Sequence, residues 1–352
     1  MSAPALADPV PPGPAAPLHP GRLRRGARWD LAARTGLSVA GFVPGLVLAF
    51  LLYQLIREAY PSVVFSGTHF FTGKIFSIGS GYASSVEVHN GYKASAGAHY
   101  GILPLLWGTL ISSVIALALA IPVSVGGAIL LVERLPARVQ QPLGVFLELL
   151  AGIPSVVFGL WGVVTFGPLL ARDVYKPIAS LGIPWLSTYT ATGQGLLTAS
   201  LVLAAMVVPI IAATTRELVR SVPATTKEGA WALGLTRSET VKAVTWPSIR
   251  SGVLAASLLG WGRALGETMA VLMISGYKLD AYPHSLFDTF TTMAATVAGF
   301  LDSALQDPTG MAVHALAEVG IVLLVVVLVT NFLGRLITRR STTVALPVGR
   351  GV

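Results

Sequence analysis

Long apolar runs constrain this chain more than any other feature. Several exceed the ~18 residues that a helix needs to cross the hydrocarbon of a bilayer. Of its 352 residues, 53% are hydrophobic and only 11% charged, against roughly a quarter charged in a soluble domain. The class is an all-α, polytopic helical membrane protein with six transmembrane helices. The spans are read at about Leu37 to Ile56, Leu103 to Leu131, Pro142 to Leu170, Gly195 to Thr214, Ser251 to Ser275 and Met311 to Leu336. No cysteine is present, which excludes disulfides, Fe–S clusters and thiolate metal sites. No metal and no cofactor are expected.

The net charge of +8 would suggest nucleic acid in a soluble chain. Here it reflects Lys and Arg gathered in the loops on one side of a membrane, and no nucleic-acid partner is expected. Seventeen of the 24 Lys and Arg fall in the N-terminal segment, the second-to-third and fourth-to-fifth connections and the C-terminus; six fall on the other side, and Arg263 lies within a span. This asymmetry predicts a multi-pass protein of the cell membrane with both termini cytoplasmic. Residues 1–35 are rich in Pro, including Pro9, Pro11, Pro12, Pro14, Pro17 and Pro20. They read as a disordered cytoplasmic tail rather than a cleaved signal peptide. Residues 36–340 form the transmembrane domain, with a cytoplasmic loop at 216–250, and residues 341–352 a second cytoplasmic tail.

The outer loops are less specific. The stretch from Arg57 to Tyr100 carries His69, His89 and His99 without the spacing of metal ligands, and reads as an ordinary exposed loop. The stretch from Tyr277 to Gly310 is acidic and reads as a solvated face or as a docking surface for an external partner.

The cytoplasmic loop has more local grammar. Pro223 suits the first turn of a helix, Thr225 with Glu228 fits a capping box, and Gly234 fits a C-terminal cap. Thr236 with Glu239 is a second capping-box match, and Pro247 ends that helix or starts the next. The expected product is a helix–turn–helix exposing Ala230, Trp231 and Leu233. Clamped between spans, it suits a groove on a cytoplasmic partner rather than DNA.

Glu228-Gly229-Ala230, three residues, Gly234, nine residues, then Val244-Thr245-Trp246-Pro247 resembles the Glu-Ala-Ala motif of permease subunits of ATP-binding-cassette importers. Gly229 replaces the usual Ala, and Trp246 the usual Leu. More narrowly, Gly262-Arg263-Ala264-Leu265-Gly266-Glu267-Thr268-Met269-Ala270-Val271 looks like the phosphate importer's permease of the PstC type. So do Gly152-Ile153-Pro154-Ser155-Val156-Val157-Phe158-Gly159 and Gly101-Ile102-Leu103-Pro104 with Gly108-Thr109-Leu110. The likeness covers about Gly36 to Arg340. It implies a type I ABC importer permease fold and import of phosphate. It also implies a heterodimer with a paralogous permease, two ATPase subunits and an external phosphate-binding protein. Glu228, Gly229, Ala230, Gly234 and Pro247 would then couple to the ATPases.

The charged span has its own chemistry. Arg263 lies 12 residues beyond Ser251, ~18 Å along a helix and near the middle of the hydrocarbon. An intramembrane Arg is costly and marks a functional site by default, and its planar fork suits phosphate oxygens. Glu267, one turn on if the helix continues, would hold Arg263 or accept a hydrogen bond from protonated phosphate. The alternative is a purely structural ion pair. Ser155 begins a half-helix if Gly152–Ser155 interrupts the third span, the alternative being a simple Pro kink. With Thr268, these are the candidate anion contacts: Arg263, Glu267, Ser155 and Thr268. Glu148 and Glu318 read as helix–helix hydrogen-bonding groups.

Two other classes stay in view. A secondary transporter for an oxyanion would also use Arg and Glu but would not need the cytoplasmic motif. An ABC permease for a related anion such as molybdate also stays open. An enzyme is disfavoured, since no His-x-x-x-His spacing, no Gly-x-Ser-x-Gly elbow and no phosphate-binding Gly-x-x-x-x-Gly-Lys-Ser/Thr loop occurs. Any ATP hydrolysis belongs to another chain.

The orientation is testable in a chain without cysteine. Single cysteines placed at Ser84 and Ser303 should react with an impermeant thiol reagent on intact cells, and one at Ser238 should not. Labelling at position 238 from outside would reverse the topology.

Overall fold

The computed structural model describes residues 20–79, 86–183, 186, 189–279 and 282–341. Its helices are α1 (Pro20–Ser66), α2 (His69–Thr72), α3 (Leu103–Glu133), α4 (Ala137–Ala151), α5 (Ser155–Trp161), α6 (Gly167–Leu170), α7 (Lys176–Ala179), α8 (Leu196–Ser221), α9 (Ala224–Ala232), α10 (Arg237–Thr240), α11 (Trp246–Leu265), α12 (Met269–Ile274), α13 (Met293–Leu305) and α14 (Met311–Ser341). Four short strands, β1 (Phe76–Ile78), β2 (Val86–His89), β3 (Tyr92–Ser95) and β4 (Ala98–Tyr100), lie between α2 and α3. Residue contacts separate a unit ending at Gln54 from a unit beginning at Leu55. In the first unit, part of the segment read as an irregular tail is helical: α1 starts at Pro20, a first-turn position where the missing N–H costs nothing. The other tail prolines lie outside the described residues, as does 342–352.

Within the second unit the core is built from small side chains. Ala116 and Ala120 of α3, Ala199 and Ala204 of α8, and Ala256 of α11 are buried with Val202, Leu203, Val207 and Ile211. Small residues let helix backbones approach where lipid supplies no hydrophobic drive between helices. A Cβ at Gly260 would press on Val207 and Ile211. Several hydroxyls along the spans are satisfied within their own helices: Ser112, Ser200 and Ser257 each donate to the carbonyl four residues back. Ser124 Oγ instead crosses from α3 to the Val208 carbonyl of α8, 3.1 Å away. Among the described residues, five helices are long and apolar enough to cross a membrane: Ala40–Ser66, Leu103–Glu133, Ser155–Ala179, Leu196–Ser221 and Met311–Leu336.

Two expected spans differ. The third is not one helix over Pro142 to Leu170. The chain turns at Gly152-Ile153-Pro154, ending α4, and the span is Ser155–Ala179. The fifth is broken: α11 stops at Leu265 and α12 starts at Met269. A single rule accounts for another irregularity. Widened π turns at Gly162–Phe166, Ala171–Tyr175 and Val241–Thr245 each precede an X-Pro step, Gly167-Pro168, Lys176-Pro177 and Trp246-Pro247. Proline has no N–H to give and crowds the carbonyl four residues back, and one π turn absorbs the misfit. Pro247 thus stands in the first turn of α11, as one of the two expected placements has it, and the π turn joins that helix to α10 without a break.

The loop after α1, read as an ordinary exposed loop, holds two antiparallel hairpin ladders. β1 pairs with β4, Phe76 opposite Tyr100, and β2 pairs with β3, His89 opposite Tyr92. The β2–β3 turn is Asn90-Gly91, both at positive φ (50° and 83°), as a tight hairpin requires. Phe65, Phe70, Phe76, Tyr100 and Leu105 pack with Met293, Met311 and Leu316. Asp307 fastens this layer to α14. It accepts from Ser95 Oγ at 2.7 Å, the Ala312 N–H at 3.0 Å, and the Thr309 N–H at 3.1 Å and hydroxyl at 2.9 and 2.8 Å. Burial works against its charge, but these bonds outweigh it and hold the carboxyl below its ordinary value. Glu318 receives Ser62 Oγ at 2.6 Å, a helix–helix bond.

Asp307→Ala should therefore cost about 1–2 kcal/mol of stability, as other helix-cap losses do, read as a lower unfolding temperature of the purified protein. Because the folded value is depressed, the contribution is present above the ordinary carboxylate range and is lost as pH falls through the lowered value. An unchanged unfolding temperature at neutral pH would show that Asp307 is not a clamp.

Candidate functional site

The break between α11 and α12 is built from Gly266, Glu267 and Thr268. The Gly266 N–H donates to the Gly262 carbonyl at 3.3 Å and the Glu267 N–H to Ala264 at 3.4 Å, closing the last turn. Beyond it the chain reopens at Thr268, whose carbonyl accepts from Leu272 at 2.9 Å and whose hydroxyl donates to the Gly266 carbonyl at 3.2 Å. Glu267 is buried, and its Oε1 accepts from the Ala270 N–H at 3.4 Å. Its carboxylate caps α12.

The expected Arg263–Glu267 pair is absent among the described residues. One-turn spacing joins two side chains only while the helix continues, and α11 ends between them. Arg263 is exposed and lines a cavity of about 400 Å³ with Ile210, Leu259, Gly262, Val327 and Asn331. Asn331 donates its amide to the Val327 carbonyl at 2.8 Å. It is the second polar side chain of this cavity, and sequence reasoning missed it; the signal was a lone amide inside an apolar run.

Ser155 stands at the start of α5, after Pro154, and is half-buried. α5 runs alongside α12 in the same direction. A Cβ at Gly159 would lie 3.0 Å from the Ala270 Cα, and one at Gly162 would overlap Ile274. The structure thus packs the helix that Ser155 begins against the helix that Thr268 begins. Among the described residues Ser155 makes no hydrogen bond to Arg263, Glu267 or Thr268.

At the other end of α11, α9 and α10 form the expected pair of short helices. Gly234 has φ +85° and donates to the Trp231 carbonyl at 2.9 Å, a left-handed cap that suits glycine. Thr236 and Glu239 make the reciprocal capping box. The Thr236 hydroxyl, then its N–H, hold the Glu239 carboxyl below its ordinary value. The Thr225–Glu228 box does not form, since α9 is preceded by Pro223 and has no side-chain cap. Ala230, expected to be exposed, is buried, while Trp231 is exposed and Leu233 is 83% exposed. Glu228, Gly229 and Pro247 are exposed.

Glu133, absent from the sequence reading, closes the last turn of α3 on this element. Its carboxylate meets Lys227 Nζ at 2.8 Å and Thr245 Oγ1 at 3.1 Å. Arg134 donates to Ser238 at 2.8 Å. Glu148 meets the buried Arg216 at 3.4 Å, a helix–helix contact. His69, His89 and His99 line one cavity of about 720 Å³ with Lys74 and Glu87. Among the described residues no cluster of three metal-ligating side chains forms.

Comparison with known proteins places these features in a common setting. Residues 120–343 match the family described as binding-protein-dependent transport system inner membrane component. The phosphate transport system permease protein PstC 1 of Mycobacterium tuberculosis is 49% identical over 320 residues, 90% of this chain and 94% of that protein. PstC of Pasteurella multocida is 35% identical over 297 residues, 83% and 88% of the two chains. Two solved structures share the fold alone, at low identity. A chain of a bacterial alginate ABC transporter in complex with an alginate-bound periplasmic protein aligns with TM-score 0.54 and 14% identity, over 90% of this chain and 99% of that one. A chain of the inward-facing MetNI methionine ABC transporter aligns with TM-score 0.51 and 15% identity, over 68% and 96%.

Proposed function

The chain belongs to the family of binding-protein-dependent inner-membrane transport components and has their type I ABC permease fold, and on that premise we propose that it is the permease subunit that carries inorganic phosphate into the cytoplasm. It is a transport component rather than an enzyme. The observation that carries the cargo is the 49% identity to a phosphate permease across nine-tenths of the chain. The proposed assembly pairs it with a paralogous permease, two ATPase subunits and an external phosphate-binding protein, with both termini and the α9–α10 element on the cytoplasmic side.

Two features support a role for each end of α11. At the break, Arg263 offers an unpaired guanidinium to a cavity among the described residues, and guanidinium is the side chain best matched to phosphate oxygens. Burial of Glu267 under α12 leaves that charge unneutralised. Ser155 and Thr268 open helices that pack together, and they are proposed as flanking hydroxyl contacts. At the cytoplasmic end, the exposed Trp231 and Leu233 are the apolar anchors expected of a helix that docks in a groove. Glu228, Gly229, Ala230, Gly234 and Pro247 shape that element.

Arg263→Lys keeps the charge and loses the fork, so ATP-driven phosphate uptake should fall about tenfold or more, the worth of a charge-assisted hydrogen bond. Arg263→Gln should be at least as severe. Glu267→Gln, which keeps an acceptor for the Ala270 N–H, should be milder. Uptake of radiolabelled phosphate in cells lacking the wild-type chain decides this, and wild-type uptake by Arg263→Gln at equal membrane abundance would sink the anion role. Gly234→Pro places a ring fixed near φ −65° where the chain needs +85°. The variant should insert normally yet lose uptake, and normal transport would remove the coupling role of this turn.

A further inference from the structure

We infer that Glu133 is a positioning residue for coupling, because one carboxylate oxygen ties the docking helix α9 to the ends of α3 and α11 at once. The inference rests on the reading of α9–α10 as the ATPase-docking element. Glu133 Oε1 accepts from Lys227 Nζ at 2.8 Å and from Thr245 Oγ1 at 3.1 Å. Lys227 belongs to α9, Glu133 is the last residue of α3, and Thr245 immediately precedes α11. Lys227 also donates to the Val219 carbonyl in the last turns of α8, at 3.4 Å. Three membrane helices therefore converge on one ammonium–carboxylate pair.

The pair is withdrawn from water: both side chains are 12% exposed, and Thr245 is fully buried. Beside it Val125, Val219, Val222, Ile249 and Val253 form an apolar cluster. An exposed ion pair holds geometry weakly, whereas one in a dry site is strong and costly to break from one side. The apolar grip of α9 is slight, since Ala230 is its buried residue, while its large apolar side chain Trp231 and the following Leu233 are exposed. Polar bonding through Glu133 must therefore carry much of the force between α9 and the bundle. A push on α9 is delivered both to α3, the partner of α8 in the core, and to α11, which leads to Arg263. Loss of the bond would let α9 follow its ATPase while α11 stays behind.

The test uses the assembled complex in proteoliposomes with both permeases, the ATPases and the external binding protein. It reads phosphate accumulated per ATP hydrolysed. Glu133→Gln and Thr245→Val should each lower this ratio about fivefold or more, the scale of a typical coupling free energy, with ATP turnover kept within about twofold. Glu133→Lys combined with Lys227→Glu should recover part of the ratio. An unchanged ratio in both single variants, or a parallel fall of uptake and hydrolysis that preserves it, overturns the inference and leaves Glu133 a merely structural residue. Should Glu133→Gln fail to accumulate, Thr245→Val decides, since it deletes one hydroxyl and leaves the ion pair. A wild-type complex that hydrolyses ATP without accumulating phosphate would refute the cargo instead. The node is then judged by a cysteine in place of Leu259, beside Arg263 on α11. Its maleimide labelling should change between the ATP-bound and nucleotide-free complex, and Glu133→Gln should abolish that change. Persistence of the change overturns the inference.

Discussion

The close approach of α3 to α8 is the contact on which the rest of the second unit depends. Ala116 and Ala120 lie against the small residues of α8, and the Ser124 hydroxyl reaches across to the Val208 carbonyl. Between membrane helices, attraction comes from contact and hydrogen bonding, because lipid is as apolar as leucine. Small side chains are therefore the means of assembly. The same logic seats α11: Gly260 leaves space for Val207 and Ile211, and Gly252 for Leu218. Once α8 holds α3 and α11, both ends of α11 have fixed surroundings. One end lies near Glu133, and the other carries Arg263 to its cavity.

A break inside a membrane helix exposes backbone groups that hydrocarbon cannot satisfy. Here the break is stabilised locally. The N–H groups of Gly266 and Glu267 turn back to Gly262 and Ala264, and the Glu267 carboxylate serves the Ala270 N–H. That use of Glu267 explains why Arg263 stands without it. The carboxylate is committed to the restart of the helix, and the guanidinium is left to face the cavity with Asn331. Glu267 and Arg263 act as two separate devices four positions apart. At the N-terminal root of α11 a π turn accommodates Pro247, so α10 and the span form one unbroken helical path from Arg237 to Leu265.

Much of the fold was legible from local pattern. The membrane demands long apolar helices, so hydropathy alone located the second, fourth and sixth spans, the last of them the uninterrupted Met311–Leu336. The Gly234 cap and the Thr236–Glu239 box were legible because they are closed within a few residues. Asn90-Gly91 was equally local, and the hairpin it makes was a missed reading rather than an unreadable one. Misreadings followed where a periodic rule was extended through a discontinuity. Arg263 and Glu267 were paired by assuming a helix that ends between them, and Pro142 to Leu170 was joined across a turn at Gly152-Ile153-Pro154.

Composition and short-range spacing were sufficient for the all-α membrane class and for the helix-pair motif, because each follows from solvent, backbone geometry or residue chemistry within a few turns. Tertiary structure alone decided which groups meet. Glu133 finds Lys227 and Thr245 from 94 and 112 positions away, Asn331 joins Arg263 from another helix, and Ala230 is covered while Trp231 is not. Such meetings depend on how neighbouring helices cross and which face each turns inward. Those are properties of side-chain packing between distant segments, which no local window of the chain contains.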